Sequence, residues 1–193
     1  MTRLVVVSAG LSVPSSTTLL AERLTAAVVA QLPDAEVTHV ELRDLAHPIA
    51  DNLLTGFPTG ALADAVEAVA RADAVIAVTP VFSASYSGLF KSFLDVLDPG
   101  TLDGTPVLMA ATAGTARHSL VLEHALRPLF AYLRAVPVPT GVFAASEDFA
   151  SPELSVRIDR AAGELAEAVL RRPRPHAVEE FTPFERLLEG LGG

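Results

Sequence analysis

Three observations predict an α/β fold, a parallel sheet wound on both sides by helices. Residues 4–7, 74–78 and 107–111 are short apolar runs with no polar residue in them. Strands covered by helices on both faces have this composition, because neither face meets water. Between these runs, apolar residues recur at the three- and four-residue spacing of a helix. The two patterns then alternate along the chain, as a doubly wound sheet requires.

Each element follows from its own residues. The three apolar runs are strands one, three and four, and residue Ser8 ends the first of them. Residues 37–42 alternate more weakly and are expected to form an edge strand. Residues 136–144 contain a fifth strand, interrupted by Pro137, Pro139 and Gly141. The first helix spans 17–32, with Leu20, Leu24, Ala27, Val28 and Leu32 on one face. The second spans 61–71 and carries Leu62, Ala65, Val66 and Val69. Leu89, Phe90, Phe93, Leu94 and Leu97 form a third stripe. Leu122, Ala125, Leu126, Leu129, Phe130 and Leu133 form a fourth. Leu154, Ile158, Ala161, Leu165 and Val169 form the fifth. Five strands alternating with helices make the flavodoxin-like order 2-1-3-4-5 the leading topology. One domain is expected over 1–171. Beyond it, the prolines at 173 and 175 stop the helical pattern. Residues 172–193 are read as a C-terminal helical tail, with Phe181, Phe184, Leu187, Leu188 and Leu191 as a short amphipathic stripe.

Composition limits the function classes. Half of the 193 residues are hydrophobic, enough for a sizeable core. The net charge of -9 argues against nucleic acid, whose affinity comes from Lys and Arg on phosphates, and against an anionic membrane surface. The chain has no cysteine, which excludes disulfides, thiolate metal sites and thiol catalysis. Any redox chemistry must then be borrowed from a cofactor. No stretch approaches the ~20 apolar residues of a membrane span, and the run at 4–7 is too short for a secretion signal. A cytoplasmic protein is expected. His39, His47 and His176 lack metal-ligand spacing, and the acidic residues show no pairing that suggests hydrolysis.

In an open α/β sheet, ligands bind beyond the carboxyl ends of the strands, and three loops there have unusual compositions. Residues 8–18 combine Gly10 with a series of hydroxyls that includes Ser12, Ser16, Thr17 and Thr18. Hydroxyls and free N–H groups at a helix N-terminus suit an anion. Neither the GxGxxG nor the GxxxxGK[ST] pattern is present, so the loop suits a monophosphate better than a pyrophosphate. An ordinary Ser/Thr helix cap is the alternative. Residues 79–88 carry Phe82 and Tyr86 among Ser83, Ser85, Ser87 and Gly88. A flat heterocycle needs apolar faces and a few edge donors, which this loop supplies; the aromatics could equally serve the core. Residues 112–118 place Gly114 among small residues, which permits close backbone approach. There Arg117 and His118 suit a phosphate, a ring edge or a substrate, or else solvent.

The run TPVFSASYSGLFKSFLDVL at 79–97 resembles the TPVY, YSG and LK-x-x-LD-x-L segment of the NADPH-dependent FMN reductases, including those of sulfonate assimilation. Pro14 through Leu20 resemble the family's phosphate loop. The stretch at 111–115 with His118, and then residues 124–128, resemble its third signature. The resemblance covers roughly residues 1–147 and implies a flavodoxin-like fold. It implies FMN as ligand, NADPH or NADH as donor, and a homo-oligomer, dimer or tetramer, that builds the flavin site between subunits. Ser12, Ser16, Thr17 and Thr18 match the phosphate loop. Pro80, Val81 and Phe82, with Ser85, Tyr86, Ser87 and Gly88, match the segment against the isoalloxazine. Thr112, Ala113, Gly114, Thr115 and His118 match the loop at the ring edge, and Lys91 the lysine of the middle motif. The sequence departs from the pattern in three places: no arginine follows Gly10, Phe82 replaces a tyrosine, and Phe90 replaces a leucine. His124 stands near a position where some flavin-exporting members carry an inserted tyrosine.

The implied reaction is hydride transfer from nicotinamide to FMN, with backbone N–H groups stabilising the charge that develops on the ring. No side chain is assigned as catalytic acid or base, and the protein supplies orientation and electrostatics. The resemblance further implies that reduced FMN passes to a flavin-dependent monooxygenase. Two alternatives stand beside it: an enzyme that keeps its FMN and reduces quinones, azo dyes or ferric chelates, and a flavodoxin-type electron carrier.

Overall fold

The computed structural model describes residues 1–171, so the predicted tail at 172–193 lies outside the described residues. Strands β1 (Thr2–Ser8), β2 (Ala35–Glu41), β3 (Ala74–Phe82) and β5 (Pro106–Ala113) are joined by parallel pairing in the order β2-β1-β3-β5. The outermost position is filled in two pieces, β6 (Val136–Pro137) and β7 (Val142–Ala145), both parallel to β5. The sheet therefore has the 2-1-3-4-5 order expected of its five strand positions. A further short strand, β4 (Ser85–Tyr86), turns back antiparallel on the end of β3.

The apolar runs divide their side chains between two cores. Leu4 and Val6 of β1, Ile76 and Val78 of β3, and Leu108 and Ala110 of β5 face one side. There they meet Leu20, Leu24 and Val28 of α1 (Ser16–Gln31) and Leu154, Ile158 and Leu165 of α6 (Pro152–Arg171). Val5, Val7, Val75, Ala77, Val107 and Met109 face the other side, under α2 (Ala46–Thr55), α3 (Ala61–Ala70), α4 (Gly88–Asp95) and α5 (Arg127–Tyr132). Fully burying one such Leu or Phe is worth about 1.5–3 kcal/mol. The unbroken runs thus reflect central strands with no solvent face.

Three features complete the fold, of which the broken fifth strand was expected from Pro137, Pro139 and Gly141. Helix α2 follows a 3-10 turn, Leu42–Leu45, and seats Ile49 in the core. Pro48 lies in its first turn, where a missing N–H is tolerated, and Gly56 at φ 80 ends it. The β3–β4 hairpin turns through Ser83 (φ 49) and Ala84 (φ 66). Such turns favour Asn-Gly or Asp-Gly, a signal the sequence lacks. The fifth strand breaks at Pro139, Thr140 and Gly141, and Glu164 of α6 accepts from Thr140 N at 2.6 Å and Thr140 Oγ1 at 2.7 Å. A Cβ on Gly141 would lie 3.1 Å from Leu122 Cδ1, so the break seats the turn that precedes α5. That turn, Leu122–Leu126, is a π-helical segment running directly into α5.

Candidate functional site

The register of the sheet brings all three predicted loops to one end. β1 closes at Ser8, and Ala9 N donates to Val78 O at 2.9 Å, which turns the chain over the top of β3. Gly10 is buried there, and a Cβ on it would lie 2.2 Å from Ser15 Oγ, so only glycine allows the loop to fold this tightly. Ser15 caps α1, its Oγ accepting from Thr18 N at 3.2 Å. The first N–H groups of a helix have no acceptor within it. With the Thr18 N–H taken by the cap, those of Ser16 and Thr17 remain for a ligand. Thr17 itself is buried, and its Oγ1 lies 2.8 Å from Thr112 Oγ1 at the end of β5, tying the first loop to the third.

Between these loops lies a cleft of about 330 Å³. Ser12, Ser16 and Thr17 line it from the first loop, Pro80, Val81 and Phe82 from the second, and Thr112, Ala113 and Gly114 from the third. Phe82 is 48% exposed, an aromatic face left bare at the cleft. Ser146, which follows β7, also lines the cleft and was missed by the sequence reading. The signal was available, since the residue after the last strand must lie at the same carboxyl edge.

Other predicted residues do structural work beside the cleft. Ser87 is buried as the cap of α4: its Oγ accepts from Phe90 N at 3.2 Å, and its N–H donates to Thr79 Oγ1 at 3.0 Å. Tyr86 pairs with Val81 across the hairpin, its ring centroid 6.2 Å from that of Phe90. Ser85 pairs with Phe82, and Gly88 opens α4. Lys91 is bound by Asp95 one turn on, at 2.5 and 2.7 Å. Thr18 lines a second, more open groove on the outer side of the first loop, with Ser12, Ser15, Ser16 and Glu22. Thr115 caps the 3-10 turn Ala116–His118, and His118 is exposed on that turn.

His124 is exposed within the π segment, which packs against β4 and β5. Its neighbour Glu123 is gripped by Arg127, whose Nε lies 2.5 Å from Glu123 Oε2. Arg127 also donates to Val138 O at 3.2 Å and Pro139 O at 2.9 Å. The guanidinium holds the Glu123 carboxyl below its ordinary range, and the carboxylate raises Arg127. Among the described residues, no group of His and acidic side chains is arranged to hold a metal ion, and no helix is long and apolar enough to cross a membrane.

A doubly wound sheet of this order, with a hydroxyl-rich helix start and an aromatic-edged cleft at its switch point, defines a flavodoxin-like nucleotide-binding protein. The profile of the NADPH-dependent FMN reductases matches residues 2–150. The chain belongs to that family. It is 39% identical over 170 residues to the FMN reductase (NADPH) of Pseudomonas aeruginosa, covering 85% of this chain and 90% of the relative. It is 40% identical over 153 residues to the NADH-dependent FMN reductase SfnF of Pseudomonas fluorescens, covering 79% and 81% of the two chains. An oxidoreductase from Corynebacterium diphtheriae superposes with a TM-score of 0.86 at 48% identity, covering 90% of this chain and 99% of the other.

Proposed function

We propose that the cleft takes FMN as an exchangeable substrate, that NADPH or NADH reduces it there, and that reduced FMN leaves for a flavin-dependent monooxygenase in the cytoplasm. The observation that carries the reading is the convergence of all three loops on one cleft beside the first turn of α1. FMN fits the residues present. The Ser16 and Thr17 N–H groups and the Ser12 and Ser16 hydroxyls suit its single phosphate, with the helix dipole assisting. Pro80, Val81 and Phe82 give an apolar wall for a flat ring, and the chain at Ala113 and Gly114 allows close approach to the ring edge. Bound flavin supplies the two-electron acceptor for a hydride from reduced nicotinamide. The protein orients the ring, covers part of it and aims fixed donors at its edge; no acid or base side chain is assigned.

Exchange rather than retention is favoured by the lining of the cleft, which among the described residues contains no Lys or Arg. The π segment supports the same reading: such bulges occur frequently at functional sites, and this one packs against β4 of the hairpin and carries exposed His124. Association with a second copy is supported by the bare side chains Leu54, Phe57 and Leu120, at 88%, 75% and 65% exposure.

The test is the visible spectrum of purified protein, its light-scattering mass, and NADPH and NADH oxidation with and without added FMN. A colourless oligomer whose rate saturates with added FMN is expected. A yellow protein that oxidises NADPH only when a quinone or dye is supplied would replace this reading with a retained flavin.

A further inference from the structure

The seat proposed for the FMN phosphate carries a feature opposed to tight binding. Among the described residues, neither the cleft nor the outer groove of the first loop is lined by a lysine or arginine, and the only charged group in either lining is Glu22. A second carboxylate, Glu41, contacts the first turn of α1. In the parallel register of β1 and β2, Ser8 pairs with Glu41, so the last residue of β2 is level with the start of the phosphate loop. Thr18 Oγ1 lies 3.4 Å from Glu41 Oε2, to which it donates, and 3.4 Å from Ser8 Oγ. An ionised carboxylate only accepts. The Thr18 hydroxyl is thus engaged by Glu41 and Ser8 in the first turn of α1.

We infer that Glu41 sets the affinity for the flavin phosphate, weakening it so that FMN exchanges rather than stays. The inference rests on the phosphate seat proposed above. A carboxylate in contact with the first turn of α1 opposes, by simple Coulomb repulsion, a phosphate bearing between one and two negative charges at that turn. With no Lys or Arg in the lining among the described residues, the attraction there comes from the helix dipole, backbone N–H groups and serine hydroxyls. Glu41 is an affinity-setting residue and takes no part in the hydride transfer.

The experiment measures Kd for FMN and for riboflavin, which lacks the phosphate, by quenching of flavin fluorescence. It compares the full chain with Glu41→Gln and Glu41→Ala, each checked by circular dichroism. The expected result is FMN binding about fivefold tighter in both variants at low salt, with riboflavin unchanged. The gain should shrink as salt screens the charge. If the unaltered protein binds FMN and riboflavin equally, the phosphate seat is wrong and the inference falls with it. If it prefers FMN but the variants bind FMN no more tightly, or tighten on both flavins alike, the seat stands and the role given to Glu41 is overturned.

Discussion

Thr17 and Thr112 are two buried hydroxyls from opposite loops that satisfy each other at 2.8 Å. This contact fixes the distance between the start of α1 and the end of β5, and so the width of the cleft. Thr17→Val keeps the shape but leaves the Thr112 hydroxyl buried without its partner, which costs about 1–3 kcal/mol. The double variant Thr17→Val with Thr112→Val removes both polar groups and should recover much of that loss. Urea unfolding of the two single variants and the double tests this; losses that simply add would show that the hydroxyls are not coupled. At this scale the sequence was informative about which residues matter and less so about what each does. Thr17 was expected as a phosphate ligand, and its hydroxyl is instead a tie between loops, leaving its N–H for the ligand. Ser87 was expected against the ring and is the buried cap of α4. Hydroxyls serve caps and ligands with the same chemistry, so composition alone does not separate the two roles.

The π segment before α5 shows the corresponding limit for elements. Its apolar residues Leu122 and Leu126 keep helical spacing, so the pattern reads as one continuous helix. The extra residue per turn is dictated by its surroundings: Leu122 over Gly141, and Arg127 reaching the Val138 and Pro139 carbonyls. Helix α2 was missed because Pro48 interrupts a stripe, Leu42, Leu45 and Ile49, that was otherwise present. The three central strands were legible because two-sided burial leaves a plain apolar signature, and the main helices because their buried residues recur at helical spacing. Arg127 is the residue that joins the π segment to the broken fifth strand, and Arg127→Met should lower stability by about 1–2 kcal/mol in urea unfolding. The pH dependence should change as well. Arg127 lowers the Glu123 pKa in the folded protein, so the stabilisation is present above the unfolded carboxylate pKa and is lost as pH falls through the folded one. Glu123 is half exposed, at 52%, which limits this part to a few tenths of a kcal/mol. Stability curves between neutral pH and about pH 3 should therefore fall slightly more for the unaltered protein than for Arg127→Met. Parallel curves would show that the pair contributes no charge-linked stability.

For the molecule as a whole, the described residues 1–171 hold a doubly wound sheet with a core on each face. Every buried apolar residue of the two clusters lies between Leu4 and Ala166. The helix that closes one face, α6, ends at Arg171 after its last core contacts, which include Leu165 and Ala166. The three loops of the cleft and Ser146 all precede α6. If residues 1–171 form the domain, they should retain core and cleft when the remainder is removed, because few contacts cross a domain boundary. We therefore expect the chain cut after Arg171 to melt within about 2 °C of the full chain, since a loss of 1 kcal/mol in a domain of this size shifts Tm by about 2–4 °C. Its Kd for FMN should be unchanged. The measurement is a thermal melt by circular dichroism, with FMN titration of the same two preparations at equal concentration. A fall of about 10 °C would make residues 172–193 part of the folded unit. An unchanged melt with weakened FMN binding would instead place the tail at the cleft, on this chain or on a second copy.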